Sequence, residues 1–255
     1  MSDRTNRRAR DMAVVAGLRT PFCKVNGALQ GATAADLAAF AFRELLDRTD
    51  IARSEIDEVI LGCAGPDARE ANVARVAALR CGLPETTPAV TVMRNCASGM
   101  EAVMAAKQKL AAGEGEVFLV GGAESMSNFP LMMGPKLVRF FQRMGKARTL
   151  GQRLSAMAAF RPSSLKPRIA IVEGLTDPTT GLMMGNTAER VAQRFGVDRA
   201  AMDAYALESH QRAAAAVARD RFAREVAPMV APPTFRAASG IRTCRRPSRA
   251  PARSR

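Results

Sequence analysis

Residues 89–112, AVTVMRNCASGMEAVMAAKQKLAA, decide the fold of this chain. The run Ala89–Met93 has the apolar, β-branched composition of a buried strand. Residues 98–112 have the length and the Ala- and Met-rich composition of a covered helix, which Gly113 ends. Cys96 lies between the two. The stretch therefore predicts a strand, a tight turn that carries a cysteine, and a helix.

The same alternation extends to both sides of this unit. Segments of strand and helix character alternate four times between residues 14 and 120. The further strands are predicted at 14–18, 59–63 and 117–120, and the further helices at 34–48 and 71–79. Thr33 and Asp36 have the spacing of a capping box for the helix that begins at residue 34. Repeated alternation of this kind predicts an α/β layered domain.

A Met-rich and basic stretch with several prolines follows Ser125. In residues 131–168 the apolar side chains recur every three to four positions, which predicts short amphipathic helices. Such helices either pack on the core or present a basic surface to a membrane or an acidic partner. Both interpretations are compatible with the pattern.

Two further helices are predicted after residue 185. Asn186 and Glu189 have the spacing of a capping box for a helix that ends at Gly196, and Asp198 is expected to cap a helix that runs to about Phe222. His210 lies at the edge of the apolar stripe of that last helix. We interpret it as a structural residue, because local sequence supplies no partners for a catalytic base.

Composition and charge exclude several classes of protein. The chain has 255 residues, 38 Lys and Arg against 24 Asp and Glu, and a net charge of +14. Its 47% hydrophobic content argues against a disordered chain, and its apolar runs are far shorter than a membrane-spanning helix requires. The basic residues concentrate in the first ten residues, in 136–168 and in 236–255. With one Tyr and no Trp, we expect no nucleic acid as partner.

The five cysteines show neither a CxxC pair nor a spacing with histidine that suits zinc, so we expect no metal site. An odd number of cysteines without such spacing fits reduced thiols. The apolar run near the N-terminus is followed by Arg19, Thr20 and Pro21 rather than by a small-residue cleavage site. We therefore expect a cytoplasmic protein.

Cys96 is the candidate nucleophile. At the start of a helix, backbone N–H groups and the positive end of the helix dipole favour a thiolate and stabilise a neighbouring oxyanion. Ser98 and Gly99 are small enough for a thioester-sized group to approach. The spacing alone also fits a buried structural cysteine, which is common in proteins.

Residues 91–103 resemble the nucleophile segment of thiolases. Further segments resemble the same family in the same order: RTPF at 19–22, GGAESMS at 121–127, MGNTAE at 184–189 and SHQRA at 209–213. Residues 146–154, KARTLGQRL, are similar to the long loop of the fatty-acid oxidation β-subunit branch. The resemblance extends over about residues 12–235.

The resemblance implies an α/β fold: a thiolase-like α/β/α layered N-terminal half with an inserted helical loop domain, and no C-terminal half. It places a basic leader at 1–11, the core at 12–124 and the inserted domain at 125–235. The Arg-rich tail at 236–255 lies outside these regions, and we interpret it as the product of a frameshift or as disordered. In the family the Cys96 helix lies between two sheets, so one side of it is expected to be uncovered and the chain to be poorly soluble.

The activity that the resemblance implies is acetyl-CoA acyltransferase. Cys96 would attack a 3-ketoacyl-CoA, release acetyl-CoA and hold the shortened acyl group as a thioester. Met183 and Met184 would line the acyl and pantetheine pocket, and Gly185 would let the chain approach it. Coenzyme A is a substrate, and no cofactor is implied. Ordinary core packing is the alternative for both methionines.

Several thiolase segments are missing from this sequence. The activating histidine of Gly-His-Pro, the second cysteine beside a glycine-rich turn and the asparagine of Asn-Glu-Ala-Phe are absent, and neither His210 nor Cys244 fits their contexts. We therefore expect a chain that is incomplete and inactive alone. The alternative is a non-enzymatic remnant that binds a thiolase partner or a hydratase/dehydrogenase α-subunit; a homodimer and a peripheral membrane contact through 131–168 are the other expected associations.

Overall fold

The computed structural model describes residues 11–230 and 237–238. It divides into two compact units, one formed by the described residues of Met1–Asn128 and Asp203–Arg255 and the other by Phe129–Met202. These limits differ from the predicted 12–124 and 125–235, because residues 203–230 group with the first unit. The predicted domain limits stay a prediction. The basic leader and the Arg-rich tail fall almost wholly outside the described residues.

The first unit contains a parallel sheet of three strands in the order β2-β1-β3. The strands are β1 (Glu58–Gly62), β2 (Ala89–Val92) and β3 (Phe118–Gly122). Gly62 at the end of β1 pairs with Val92 on one side and with Gly122 on the other. All three strands therefore finish at the same edge of the sheet.

Three helices belong to this sheet: α1 (Ala34–Asp47), α2 (Val73–Arg80) and α3 (Ser98–Ala112). The capping box of α1 is confirmed, since Thr33 Oγ1 accepts from Asp36 N at 3.1 Å and Asp36 Oδ2 accepts from Thr33 N at 3.1 Å. The bounds predicted for α3 are confirmed too, and Gly113 ends it in the left-handed conformation with φ +76°.

The side chains of β1 alternate between two helical layers. Val59 and Leu61 pack in one apolar cluster with α1 and α2, whereas Ile60 packs with Ala102 and Ala106 of α3. A strand that is buried on both faces needs helices on both faces. The predicted α/β/α layering is therefore confirmed for this part of the chain.

The strand predicted at 14–18 is wrong. Val14 and Val15 are 80% and 79% exposed, and the backbone there forms no strand. The chain makes only an isolated parallel bridge just beyond, where Arg19 N donates to Glu225 O at 2.7 Å and Ala227 N donates to Arg19 O at 3.0 Å. A strand requires a neighbour for its hydrogen bonds, and apolar composition does not supply one.

The second unit is helical with one short antiparallel pair. It contains β4 (Leu131–Met132), α4 (Pro135–Lys146), α5 (Leu150–Ala158), β5 (Arg168–Ile169), α6 (Ala170–Gly174) and α7 (Met184–Phe195). The helices predicted within 131–168 are confirmed as α4 and α5. Phe140 of α4 contacts the rings of Phe141 and Phe160, with centroids 5.4 and 5.0 Å away.

The remaining elements are α8 (Arg199–Ala218), β6 (Met229–Val230) and β7 (Ala237–Ala238). Asp198 caps α8 as predicted, because its Oδ1 accepts from Ala201 N at 2.8 Å, but the helix ends before Phe222. His210 is exposed on α8 rather than packed against an apolar stripe.

The capping box predicted for α7 is wrong. This helix begins at Met184, two residues before Asn186, and no side chain caps it. Its predicted end at Gly196 is confirmed by a left-handed C-cap with φ +66°.

Within residues 11–230, none of the helices combines the length and the apolar character that crossing a membrane requires. Over the same range, no three His, Cys, Asp or Glu residues are grouped as metal ligands would be.

Candidate active site

The carboxyl edge of the sheet brings together the segments that follow its three strands. Cys63 follows β1, the turn with Cys96 follows β2, and Glu124 lies just beyond β3. In open parallel sheets, ligands bind at this edge, outside the carboxyl ends of the strands. The structure therefore places the predicted nucleophile where such a fold carries its chemistry.

Cys96 is exposed in a tight turn between β2 and α3. Asn95, just before it, has a left-handed backbone with φ +47°, a conformation that Asn adopts more readily than most residues. Two backbone hydrogen bonds close the turn: Ala97 N donates to Arg94 O at 3.0 Å and Ser98 N donates to Asn95 O at 3.1 Å. The thiol is thus presented at the start of a 15-residue helix.

The hydroxyl of Ser98 links the helix to the turn. Ser98 is 4% exposed, and its Oγ donates to Asn95 O at 2.6 Å and accepts from Arg94 N at 2.8 Å. The side chain of Arg94 reaches forward instead, and its Nε lies 2.6 Å from Glu101 Oε2. Both flanks of Cys96 are therefore tied to the first turn of α3.

Glycines let this first turn lie directly on the strand ends. A Cβ at Gly62 would overlap the backbone carbonyl of Ser98 and lie 2.5 Å from Gly99 N. A Cβ at Gly122 would lie 3.0 Å from Gly99 Cα. Any side chain at Gly62 would push α3 away from the sheet, so the close contact depends on glycine.

Cys63 is a second thiol at this edge, and sequence reasoning did not single it out. It is 1% exposed, and its Sγ donates to Glu124 Oε1 at 3.6 Å, while Glu124 Oε2 accepts from Ala64 N at 2.9 Å. Burial, followed by the negative charge of Glu124, raises the pKa of Cys63 to about 12. Cys63 therefore stays protonated at neutral pH and is unsuited to act as a nucleophile.

A sequence signal for this pair did exist. Cys63 ends the strand predicted at 59–63, Glu124 follows the strand predicted at 117–120, and parallel strands end at one edge. What the sequence does not contain is the strand order, which decides that β1 and β3 are neighbours.

The predicted pocket residues Met183, Met184 and Gly185 lie in the second unit, at the start of α7. Met184 N donates to Leu175 O at 3.0 Å, which holds the helix start against the preceding segment. Met183 and Met184 are 45% and 50% exposed, so the core packing that was their alternative is not seen. Apart from its chain neighbours and the backbone of its own helix, no atom lies within 4 Å of a Cβ placed on Gly185. Their association with Cys96 in one pocket stays a prediction.

A family model described as "Thiolase, N-terminal domain" matches residues 12–240. The chain belongs to the thiolase family. This thiolase sequence is 37% identical over 222 residues to the 3-ketoacyl-CoA thiolase of Escherichia fergusonii, an alignment that covers 87% of the chain and 50% of the relative. The 3-ketoacyl-CoA thiolase of Aeromonas salmonicida is 37% identical over 229 residues, an alignment that covers 90% of this chain and 52% of the relative.

Solved thiolase structures share the fold. The Bacillus anthracis acetyl-CoA acetyltransferase superposes with a TM-score of 0.74 at 32% identity, over 88% of this chain and 52% of that one. The human mitochondrial 3-ketoacyl-CoA thiolase, solved in complex with CoA, superposes with a TM-score of 0.71 at 34% identity, over 84% of this chain and 50% of that one. The thiolase chain described here spans about half the length of the curated relatives that it matches.

Proposed function

We propose that this chain carries the acyl-accepting nucleophile of a thiolase that cleaves 3-ketoacyl-CoA. The observation that supports this most is the exposed Cys96 at the start of α3, at the carboxyl edge of a parallel sheet, in a chain of the thiolase family. The buried Cys63, protonated at neutral pH, leaves Cys96 as the reactive thiol of this edge.

The proposed reaction has two acyl transfers. The Cys96 thiolate attacks the C3 carbonyl of the 3-ketoacyl-CoA, the C2–C3 bond breaks, and C2 takes up a proton to leave as acetyl-CoA. The shortened acyl group stays on Cys96 as a thioester. The thiolate of free coenzyme A then attacks this thioester, and the Cys96 thiolate leaves. The first half forms the Cys96 thioester at the expense of the C2–C3 bond, and only the second half exchanges one thioester for another, at little energetic cost.

We place the acyl and pantetheine portions of the substrate beside Met183, Met184 and Gly185. The two methionine side chains are accessible, and the space beside Gly185 is open. Methionine is flexible and polarizable, so it adapts to chains of different shape. Coenzyme A enters as a substrate.

The finer assignment is the fatty-acid β-oxidation branch, in the cytoplasm. The similarity of residues 146–154 to the long loop of that branch supports it. The partners that go with it are a second copy of the chain and a hydratase/dehydrogenase α-subunit. Loss of the α-subunit at moderate salt would indicate charge steering, and retention at high salt would indicate apolar docking.

Mass spectrometry of the intact chain after incubation with an acyl-CoA tests the proposal. We expect one acyl adduct, which peptide mapping places on Cys96. Cys96→Ala should abolish it, and Cys23→Ala is the matched control because Cys23 is the other exposed cysteine among the described residues. An unmodified Cys96, or an adduct that follows Cys23, would contradict the proposed role.

A second candidate is binding through the basic surface of α4. Its exposed cations are Lys136, Arg139, Arg143 and Lys146, and the apolar side chains of Val138 and Phe141 are 40% and 53% exposed. This combination favours an anionic membrane surface. Co-sedimentation with anionic vesicles but not with neutral ones is expected, and Arg139→Gln with Arg143→Gln should weaken it. Equal binding to both vesicle types would contradict it.

A further inference from the structure

The N-terminal turn of α3 carries more than its nucleophile. We propose that Ser98 and Gly62 are positioning residues that hold Cys96 at the edge of the sheet. The inference rests on the proposed function of Cys96, and neither residue is expected to contact the reacting atoms. Ser98 would fix the shape of the turn, and Gly62 would fix its place on the sheet.

Ser98 stands out because its polar side chain is buried. A hydroxyl has one proton to donate and two lone pairs to accept. The Ser98 hydroxyl donates a hydrogen bond to Asn95 O and accepts one from Arg94 N. Arg94 and Asn95 are the two residues that precede Cys96. These bonds close a ring around the left-handed Asn95, whose backbone conformation is otherwise sparsely populated.

Helix capping is the usual reason for a serine at a helix start, and the geometry here differs from it. Ala97 occupies the N-cap position, and no side chain caps α3. The Ser98 hydroxyl is directed back into the turn rather than to the N–H groups of the helix. Apart from Ser98 N and Glu101 N, which donate to Asn95 O and Ala97 O, the N–H groups of the first turn of α3 therefore remain able to stabilise charge on the Cys96 sulfur or on an acyl oxygen.

Gly62 acts on the same turn from the sheet. The atoms that a Cβ at Gly62 would strike, the Ser98 carbonyl and Gly99 N, are backbone atoms that have no rotamer with which to yield. A methyl group at Gly62 would therefore displace the first turn of α3, and Cys96 with it. Gly121 is the matched control, since its Cβ would lie 3.5 Å from the Phe42 side chain, an ordinary contact.

Displacement of a reacting group by about 1 Å can cost about 100-fold in rate. For Gly62→Ala we therefore expect a fall of about 100-fold in the rate of acyl transfer from a bound acyl-CoA to Cys96, and a smaller fall in its alkylation. Ser98→Ala adds no atoms and leaves the contact with the sheet, so a fall of about 10-fold is expected. Gly121→Ala should stay within about 2-fold of the parent chain.

The experiment uses the full chain and records two readouts for each variant by peptide mass spectrometry. The first is the rate of Cys96 alkylation by iodoacetamide, divided by the rate of Cys23 in the same sample. The second is the rate of acyl transfer from an acyl-CoA to Cys96. Thermal unfolding is measured alongside, because a purely structural role would lower the unfolding temperature and leave the alkylation ratio unchanged.

A lower alkylation ratio in folded Ser98→Ala, with Gly121→Ala unchanged, supports the positioning role. An unchanged ratio in folded Ser98→Ala overturns it, whatever Gly62→Ala does. If Gly62→Ala does not fold, Ser98→Ala alone decides. If the parent chain accepts no acyl group, the proposed function fails, and the alkylation ratio still tests the positioning role separately.

Discussion

The two compact units contain the same kinds of helix but bury very different amounts of apolar surface. In the first unit, two clusters fill the space on the two faces of the sheet, and Val59, Ile60 and Ala35 are completely buried. Among the described residues of Phe129–Met202, Ala156 alone is buried. The difference shows that an amphipathic pattern suffices to form a helix, whereas a core requires a second layer to cover its apolar face.

The first unit also has an uncovered surface. Met100 and Met104 on α3 are 65% and 45% exposed, on the helix of which one side was expected to be uncovered. Exposed apolar surface of this kind marks a contact site or a tendency to associate. Low solubility of the isolated chain stays a prediction, and a soluble monomer that unfolds cooperatively would contradict it.

The largest expected effect comes from isoleucine truncation in each unit. Ile60 is completely buried between the two helical layers, so Ile60→Ala should lower the free energy of unfolding by about 2–5 kcal/mol. Ile169 in the second unit is 48% exposed, and Ile169→Ala should change the free energy of unfolding by less than about 0.5 kcal/mol. Urea denaturation followed by circular dichroism measures both. Equal losses would show that the second unit has a core of its own.

An effect of intermediate size is expected from pH. Burial raises the pKa of Cys63 to about 12, and burial also raises that of Cys81. An unfolded thiol ionises near pH 8.5, so above that pH the unfolded chain loses a proton that the native chain keeps. The free energy of unfolding should therefore fall as the pH rises, by up to about 1.4 kcal/mol per pH unit for Cys63, until about pH 12.

This pH dependence reports on the stability of the first unit, because residues 129–202 contain no cysteine. Cys63→Ala should remove its own share of the slope between pH 9 and pH 11 and leave that of Cys81. The measurement is the free energy of unfolding from urea titrations at each pH. A slope that is identical in the parent chain and in the variant would rule out a strongly raised pKa for Cys63.

The smallest expected effect comes from a pair of matched capping boxes. Thr33 caps α1 through Asp36, and Thr149 caps α5 through Gln152. Thr33→Ala should lower the free energy of unfolding by about 1 kcal/mol, because α1 is packed in the first core. Thr149→Ala should reduce helicity in α5 and leave the unfolding of the first unit unchanged. A comparable loss of unfolding free energy in both variants would indicate that the units unfold together.

Local signals predicted the elements well where they were strong. The alternation of apolar runs located all three strands of the sheet, and the capping box and glycine stop located α1 and α3. The failures occurred where local signals were incomplete. Residues 14–18 have the composition of a strand but no paired neighbour. Helix α7 begins two residues before its predicted cap, at Met184, whose backbone N donates to Leu175 O.

The candidate site was predictable in part. The position of Cys96 between a strand and a helix indicated a nucleophile, because the chemistry of a helix start is local. The hydrogen bonds of the Ser98 hydroxyl and the contact of Gly62 were not predictable, because they depend on backbone geometry or join segments that are distant in the chain. The pair of Cys63 with Glu124 had a sequence signal, but it could not be predicted without the strand order.

The sequence by itself therefore located the three strands of the sheet and the helices around it, the family that they resemble and the thiol at the start of a helix. The tertiary structure alone decided that β1 lies between β2 and β3, so that the ends of three distant strands meet beside Cys96. It also decided that Cys63 is buried and Cys96 exposed. The physical reason is that periodicity and capping act over a few residues, whereas burial and strand neighbours depend on contacts between segments far apart in the chain.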